Sequence, residues 1–422
     1  MNAIILSVGD ELVLGQTVDT NSAWLGAHLA SIGISVLSHV TVADDHPAIE
    51  AAIRTAAAQC DTLIISGGIG PTADDLTRQA LAAAMGQPLE INETWLAELK
   101  KFFRARGRPM PESNAIQAMI PRTATMLFNT AGTAAGIAAD LGTRERPCRV
   151  FVTPGVPKEM KAMFARDVLP ELQKRSGGAV IVSRTLHTFG LGESAVAEKL
   201  GDLMRRGRNP SVGTTVSNGV VSLRVNSRFD SVAKATDELE VIVTECRAAL
   251  GSLIYGADDE TLAGVVARML LEHPDHPTVS TAESCTGGLL GKMLTDIAGS
   301  SAYYGFGWVT YANVAKEKLL GVPAEMLAAN GAVSEPVVLA MARGARDRSA
   351  STYALSISGI AGPGGGTAEK PVGTVWIALA HPGGTASRKF VFPGDREAIR
   401  DRSAKTAISI LRYHLLNEAP PF

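Results

Sequence analysis

The sequence lacks an excess of charge of either sign, a cysteine framework and any long apolar run. Its 40 lysine and arginine residues nearly balance 42 aspartate and glutamate residues, so no global field attracts nucleic acid or an anionic membrane. The four cysteines are widely spaced without a C-x-x-C pair, which argues against disulfides and zinc. No apolar run approaches the ~20 residues that a membrane helix needs. These absences predict a soluble cytoplasmic protein with no direct nucleic-acid contact and no membrane contact.

What the chain does contain is enough apolar sequence for several packed domains. It has 422 residues, of which 46% are hydrophobic and 19% charged. Residues 1–172 alternate between strand-like runs such as "AIILSV" and helix-like runs such as "NSAWLGAHLASIG". This alternation predicts an α/β domain, a mostly parallel sheet with helices on both faces. Residues 177–256 predict a small α+β unit, and residues 258–422 a second α/β domain.

Three predicted strand ends in the first domain carry glycine-rich or acidic loops. They are "SVGDELVLG", "SGGIGPTADD" and "TPGVPKEM". Ligands of open α/β sheets bind beyond the carboxyl ends of the strands. Gly67, Gly68 and Gly70 could form a cradle of backbone N–H groups for phosphate, with the Thr72 hydroxyl beside it. The alternative is that these glycines only make turns.

The same strand ends carry carboxylates, which would repel a bare phosphate. Asp74 and Asp75 follow the glycine loop, and Asp10 and Glu11 follow the first strand. A divalent cation that bridges to phosphate would make such a set favourable. Alternatively, the first pair caps a helix. Asn114 and Gln117, in "PESNAIQAMIP", either read a base or ribose or decorate a helix.

The last third raises the question of a nucleophile, because Ser284 and Cys285 stand side by side in "TVSTAESCTGGLLGKMLTD". The pattern predicts a strand-to-helix turn, whose free N–H groups could hold an oxyanion or a phosphate. A catalytic cysteine would want a histidine base, and no nearby histidine lies in a motif. A serine could use Lys316 as its base if burial lowers the lysine pKa, with Tyr311 as a proton relay. Core packing of tyrosine and a solvated lysine are the alternatives.

Five ordered motifs over residues 258–418 resemble the C-terminal domain of the CinA (competence/damage-inducible) family. They are "TAESCTGG", "YANVAKEKLLGV", "GAVSEPV", "SISGIAGPGGGTAEKPVGTVWIA" and "PGDREAIRDRS". The resemblance implies hydrolysis of the nicotinamide mononucleotide carboxamide, without a metal or other cofactor. It implies Ser284 as nucleophile, Lys316 as general base and Tyr311 as relay or orienter. The implied substrate-binding residues are Cys285, Thr286, Gly287, Gly288, Asn313, Ser358, Gly359, Gly362, Arg396 and Arg400.

The N-terminal loops, with "GRPMPESNAIQAMIP", resemble the same family's first domain, which is similar to the molybdopterin-binding fold. The resemblance implies an ADP-ribose pyrophosphatase that uses a divalent metal (Mg, Mn or Co) and potassium. The implied metal ligands are Asp10, Glu11, Asp74 and Asp75. The implied substrate-binding residues are Gly9, Asn21, Gly67, Gly68, Gly70, Pro71, Thr72, Asn114, Pro154, Gly155 and Glu159.

The middle block, 177–256, resembles the KH-like linker domain of this family. It contains no G-x-x-G loop, and its arginines in "MRRGRNP" are typical of a solvated face. A spacing role or a dimer contact is expected rather than nucleic-acid binding, and the family implies a homodimer. The overall prediction is a bifunctional enzyme of pyridine-nucleotide recycling. Two alternatives are a deamidase with a nucleotide- or pterin-binding N-terminal module, and a non-enzymatic competence or DNA-damage accessory protein.

Overall fold

The computed structural model describes residues 1–143, 146–175 and 180–422. These residues form two compact units, Met1–Ser183 with Ser227–Glu238, and Arg184–Asn226 with Leu239–Phe422. The sequence predicts that a second domain begins at residue 177, and that position lies outside the described residues. Within the described ranges, no helix has both the length and the apolar character that a membrane crossing requires.

The N-terminal part is built on a six-stranded sheet and a separate two-stranded ladder. Its strands are β1 Asn2–Val8, β2 Ser35–Val42, β3 Thr62–Ser66, β4 Leu89–Ile91, β5 Met119–Pro121, β6 Thr125–Leu127, β7 Gly136–Gly142 and β8 Pro147–Thr153. The large sheet has the order β2-β1-β3-β8-β7-β6. Its first four strands run parallel, while β7 and β6 are antiparallel to their neighbours. The predicted mostly parallel sheet is confirmed.

Helices cover both faces of this sheet because successive strand residues point to opposite sides. Ile4 and Leu6 pack in one apolar cluster with Ile49 and Ile53, whereas Ile5 packs in another. The helices are α1 Asp10–Val13, α2 Thr20–Ser31, α3 His46–Ala57, α4 Thr77–Met85, α5 Glu93–Arg104, α6 Pro157–Met163 and α7 Leu169–Arg175. A short 3-10 helix spans Glu112–Ala118, and a π-helical turn spans Phe164–Val168.

One helix begins later than its sequence indicates. The acidic pair Asp74 and Asp75 is typical of a first helical turn, but α4 begins at Thr77 and has no side-chain cap. Both carboxylates therefore belong to the loop before the helix.

The middle part is a small α+β unit, as predicted. Its strands are β9 Val180–Phe189, β10 Ser211–Ser217, β11 Val220–Phe229 and β12 Ile254–Ala257, in the sheet order β10-β11-β9-β12. Its helices are α8 Glu193–Leu200 and α9 Val232–Leu250. Strands β10 and β12 were not among the predicted elements, because both are short and neither has a long apolar run.

The C-terminal part is a second α/β layer structure with a five-stranded sheet. Its strands are β13 Val279–Glu283, β14 Tyr304–Val309, β15 Tyr353–Gly359, β16 Thr374–His381 and β17 Gly384–Val391. The order is β14-β13-β15-β16-β17, with the first three strands parallel and the last two antiparallel. Its helices are α10 Leu262–Glu272, α11 Leu289–Thr295, α12 Asn313–Leu320, α13 Ala324–Asn330, α14 Glu335–Ser349 and α15 Arg396–Leu415. The interior strand β13 ends one residue before Ser284.

Candidate active sites

The turn after β13 is held by a buried carboxylate that the sequence reasoning did not single out. Glu283 is 1% exposed. Its side chain accepts hydrogen bonds from the backbone N–H groups of Gly288 (3.0 Å), Leu290 (3.0 Å) and Gly291 (2.8 Å). The carboxylate thereby caps α11 and faces the positive end of its dipole. The signal in the sequence was an acidic residue at the end of an apolar strand, directly before a glycine-containing turn.

This cap changes which N–H groups can hold an oxyanion. The free first-turn donors expected from the sequence are occupied by Glu283, and the N–H of Gly287 donates to the Ser284 carbonyl at 3.1 Å. Among the described residues, the N–H of Thr286 has no acceptor, and that of Cys285 contacts only its own thiol. These two backbone donors, next to the Ser284 side chain, are therefore the ones left for a developing negative charge.

Ser284 and Lys316 meet in the interior of the C-terminal part. Lys316 Nζ lies 3.1 Å from Ser284 Oγ and donates to the Thr310 carbonyl at 2.7 Å. The lysine is 1% exposed, and burial lowers its pKa from the ordinary value of 10.5. A lysine with a lowered pKa more readily exists as the neutral amine, which can take the serine proton. The pair has the geometry of a nucleophile with its general base.

The neighbouring thiol is poorly suited to be the nucleophile. Cys285 is buried, and burial raises its pKa to about 11 in spite of the nearby positive charges of Arg400 and Arg396. The reactive form of cysteine is the thiolate, which such a pKa disfavours at neutral pH. The raised thiol pKa favours Ser284 over Cys285 as the candidate nucleophile.

The Tyr311 hydroxyl contacts an arginine of the candidate site. The side chain is 62% exposed, and its hydroxyl accepts a hydrogen bond from Arg396 Nη2 at 3.1 Å. Lys316 reaches only the backbone carbonyl of Tyr311, at 3.4 Å. Asn313 begins α12 and is exposed. In this structure the Tyr311 hydroxyl pairs with Arg396, as an orienting residue would, and its role as a proton relay stays a prediction.

The first two turns of α15 connect the loops around Ser284. Arg396 donates to the Gly362 carbonyl at 2.7 Å, and Arg400 donates to the Thr286 carbonyl at 2.7 Å. The Thr286 hydroxyl and Arg400 Nε are buried and have no partner among the described residues. Buried polar atoms normally find partners, so these two are available to a polar substrate.

Other predicted residues of the C-terminal site support the loops. The Ser358 hydroxyl is buried and donates to the Ala332 carbonyl at 2.7 Å. A side chain at Gly359 would collide with Val375, and Gly287 and Gly288 both have positive φ, which favours glycine. Their placement is structural, since each shapes the turn or the strand end beside it.

The N-terminal site is a cavity of about 460 Å³ beyond the carboxyl ends of β1, β3 and β8. Most of the predicted residues line it, namely Gly9, Glu11, Gly67, Gly68, Gly70, Pro71, Thr72, Asp74, Asp75, Pro154, Gly155 and Glu159. Gln117 lines it as well, and the buried Asn114 donates to the Gln117 side chain at 2.8 Å. The Asn21 side chain connects two walls of the cavity, because it donates hydrogen bonds to Ser66 Oγ and to the Gly155 carbonyl. The Glu159 carboxylate accepts from Asn129 at 2.6 Å.

The glycine loop turns its carbonyls away from this cavity. The Gly67 carbonyl accepts from the Thr77 hydroxyl at 3.0 Å, and the Gly68 carbonyl accepts from the Thr77 N–H at 3.0 Å. The N–H groups of Gly68 and Ile69 have no acceptor among the described residues. Gly68 has a φ of 66°, and a side chain there would collide with Thr77. Consecutive N–H groups of this kind form an anion-binding concavity.

Asp75 is held by hydrogen bonds from its own loop. Its carboxylate accepts from the Gly70 N–H at 2.6 Å, the Thr72 N–H at 2.9 Å and the Thr72 hydroxyl. Both of its oxygens are thus engaged by its own loop, whereas Asp74 is exposed. Asp75 holds the loop, and its predicted role as a metal ligand stays a prediction.

Asp44 is a cavity residue that the sequence reasoning missed. Its side chain accepts from the Asp10 N–H at 2.9 Å, and the Asp10 side chain accepts from the Asp44 N–H at 3.1 Å. Burial raises the pKa of Asp44, and repulsion from Asp10, Glu11 and Asp74 adds to the effect. The available signal was its position two residues after the end of β2, the strand that neighbours β1 at the same sheet edge.

The carboxylates at this edge fit a divalent cation that the substrate helps to hold. Within the described ranges, no group of three or more acidic, histidine or cysteine side chains could hold a metal ion alone. A cation that bridges to phosphate needs only one or two protein carboxylates. Glu11, Asp44 and Asp74 supply hard oxygen donors at the cavity, and the repulsion that raises the pKa of Asp44 is what a cation would relieve.

These features define a chain with two α/β parts, each bearing a polar site at the carboxyl ends of parallel strands, and a small α+β part between them in sequence. Family models match each part: a probable molybdopterin binding domain over residues 4–174, a damage-inducible protein CinA KH domain over 183–256 and a CinA C-terminal domain over 259–415. The chain belongs to the CinA family.

Curated relatives match along the whole length. A relative from Symbiobacterium thermophilum is named a competence-damage inducible protein. It is 44% identical to this chain, and the match covers 99% of each of the two chains. A CinA-like protein from Geobacter sulfurreducens is 43% identical over 99% of this chain and 100% of its own. A solved structure of the competence/damage inducible protein CihA from Agrobacterium tumefaciens is 43% identical, with a TM-score of 0.35. It covers 37% of this chain and 97% of that one.

Proposed function

We propose that the C-terminal part hydrolyses the carboxamide of nicotinamide mononucleotide to nicotinate mononucleotide and ammonia. The observation that carries this proposal is the 3.1 Å contact between Ser284 Oγ and the buried, pKa-lowered Lys316 amine. An uncharged amine next to a serine is what amide hydrolysis requires of a nucleophile and its base.

The residues divide the reaction into two steps. Ser284 Oγ attacks the carboxamide carbon while Lys316 takes its proton, and the oxyanion accepts hydrogen bonds from the N–H groups of Cys285 and Thr286. When the C–N bond breaks, Lys316 returns the proton to the departing nitrogen, which leaves as ammonia. Water then attacks the acyl-serine ester with Lys316 again as base, which releases the carboxylate and restores Ser284. Arg396 and Arg400, with guanidinium groups beside the turn, would bind the substrate phosphate.

The test is product analysis by mass spectrometry with nicotinamide mononucleotide as substrate. Ser284→Ala should lose essentially all turnover, and the exposed-serine variant Ser301→Ala serves as the control. Full activity of Ser284→Ala, with the variant correctly folded, would remove the proposal.

For the N-terminal part we propose hydrolysis of ADP-ribose to AMP and ribose 5-phosphate. The supporting observation is an anion-binding concavity that faces the same cavity as Glu11, Asp44 and Asp74. A divalent cation held there would neutralise diphosphate charge and activate water, and potassium and the kind of divalent ion stay predictions. Glu11→Gln should abolish metal-dependent AMP release. Diphosphate binding without any AMP release by the wild type would favour a nucleotide- or pterin-binding module instead.

A non-enzymatic role as a competence or DNA-damage accessory protein is the remaining alternative, since the names of the relatives point to it. The near-zero net charge gives no support for direct DNA binding. A homodimer and a cytoplasmic location likewise stay predictions.

A further inference from the structure

A fully buried arginine lies beneath the glycine loop of the N-terminal site. Arg78, in the first turn of α4, is 0% exposed, and its Nη2 donates to the Ile69 carbonyl at 2.7 Å. Its Nη1 is buried without a hydrogen-bond partner among the described residues, and no ion pair joins it to a described carboxylate. The negative charge of Asp75 attracts Arg78 without a direct ion pair and offsets only part of the cost of burying the guanidinium.

Three consecutive loop carbonyls accept hydrogen bonds from the first two residues of α4, and Arg78 binds the third of them. Thr77 binds the carbonyls of Gly67 and Gly68, and Arg78 binds the next one, that of Ile69. Because a peptide group is planar, fixing a carbonyl on one side directs the following N–H to the other. This row of carbonyls therefore directs the N–H groups of Gly68 and Ile69 away from α4, whereas the Gly70 N–H donates to Asp75.

The Ile69–Gly70 peptide group is held at both ends by charged side chains. Arg78 binds its carbonyl, while Asp75 accepts from its N–H at 2.6 Å. Gly70 leaves room for this arrangement, since a Cβ atom there would collide with the Asp75 carboxylate. Without the arginine, this peptide could rotate and present a carbonyl oxygen to the cavity, where it would repel phosphate.

We propose that Arg78 is a positioning residue that holds the Gly67–Thr72 loop so that the N–H groups of Gly68 and Ile69 face a diphosphate ligand. It touches no solvent and so acts through the loop and through its positive charge, not by direct contact. The role rests on the proposed use of this loop for a diphosphate substrate. Asp75 is the second member of the clamp.

The experiment compares Arg78→Lys and Arg78→Met in the full chain. Calorimetric titration with inorganic pyrophosphate and Mg²⁺ measures binding without turnover, and ADP-ribose kinetics separate KM from kcat. We expect Arg78→Met to bind pyrophosphate about tenfold more weakly or worse, since it loses a charged hydrogen bond to the loop. Arg78→Lys should recover part of the affinity because its amine can still donate to the Ile69 carbonyl. The loss should fall on KM more than on kcat.

Arg54→Lys is the matched control, because Arg54 donates to the Ala83 carbonyl at the other end of α4, also at 2.7 Å. Unchanged pyrophosphate affinity in a folded Arg78→Met would overturn the inference, as would a wild type that binds no pyrophosphate. If Arg78→Met does not fold, Arg78→Lys decides: wild-type affinity and KM overturn the inference, and a raised Kd with an unchanged melting temperature supports it. A wild type that binds pyrophosphate but releases no AMP refutes the proposed hydrolysis and leaves the role of Arg78 standing.

Discussion

The turn after β3 and the turn after β13 are built from the same parts. Each follows a parallel strand in the interior of its sheet, and in each a carboxylate accepts backbone N–H groups of the turn, Asp75 in one and Glu283 in the other. Each also has a fully buried basic side chain nearby. In the first turn it is Arg78, bound to a backbone carbonyl, and in the second it is Lys316, in contact with a serine hydroxyl.

The identity of the basic residue separates the two functions. Arginine keeps its proton in proteins, so Arg78 can fix a loop and attract an anion but cannot act as a base. Lysine loses its proton when burial lowers its pKa, as burial does for Lys316. Similar backbone architecture thus supports phosphate binding in one part and nucleophile activation in the other.

The largest loss of activity is expected when the basic residue of the C-terminal turn is replaced by the basic residue type of the N-terminal turn. Lys316→Arg keeps the positive charge but removes the base, and we expect deamidation to fall by about 10²–10⁴. Arg78→Lys should affect diphosphate affinity far less. The measurement is product formation from nicotinamide mononucleotide, with the exposed Lys318→Arg as control. Turnover of Lys316→Arg within tenfold of the wild type would show that the amine is not the base.

The pH dependence of the two activities should differ in the same way. Lys316 acts when unprotonated, so kcat/KM for deamidation should rise with pH and level off above the lysine pKa, which burial places below 10.5. Because Arg78 keeps its proton, it should cause no such rise with pH in the rate of AMP release. The measurement is a pH–rate profile for each substrate. A deamidation rate that falls as pH rises through this range would contradict the assignment of Lys316.

The two carboxylates should differ in their contribution to stability. Glu283→Gln removes the charge from a buried group that accepts three N–H bonds, and we expect a loss of about 1–3 kcal/mol in the free energy of unfolding. Asp75→Asn should cost less, because Asp75 is only half-buried. Thermal unfolding followed by circular dichroism compares them. Equal decreases in melting temperature for the two variants would mean that the difference in burial does not affect the contribution of these carboxylates to stability.

The smallest effect is expected at Cys285. Its thiol is buried and its pKa is raised to about 11, so Cys285→Ala should keep most deamidase turnover, well short of the ~10² loss that removal of a catalytic group causes. Alkylation of the wild type should be correspondingly slow. An inactive but folded Cys285→Ala would reverse the choice of nucleophile.

Much of the architecture could be predicted from local pattern. Strands β1 and β3 contain continuous apolar runs, and β2 and β13 are short runs that mix apolar with polar residues. Glycine or proline lies close to their ends, so much of the strand and helix order followed from the local pattern. Elements without such a run, including α5, β6 and β12, were not predicted. The start of α4 was misplaced because an acidic pair that resembles a helix start is used by the preceding loop.

The candidate sites could be predicted only in part. Ser284 and Lys316 follow from motifs, since a polar residue in a glycine-containing turn is conspicuous in sequence. Glu283, Asp44 and Arg78 were missed, because each has an ordinary local context and gains its role from a partner that is set by tertiary contacts. Asp44 meets Asp10 across 34 residues, for example.

By itself, the sequence determined the order of strands and helices, the division into α/β and α+β parts, the glycine turns and the presence of a serine near a lysine in motif order. These properties depend on side-chain periodicity and on backbone conformations that are local in the chain. The tertiary contacts place Lys316 against Ser284, engage Asp75 with its own loop and bury Arg78 under the glycine turn. Burial and distance set these roles, since desolvation and hydrogen bonding depend on which distant segments pack together.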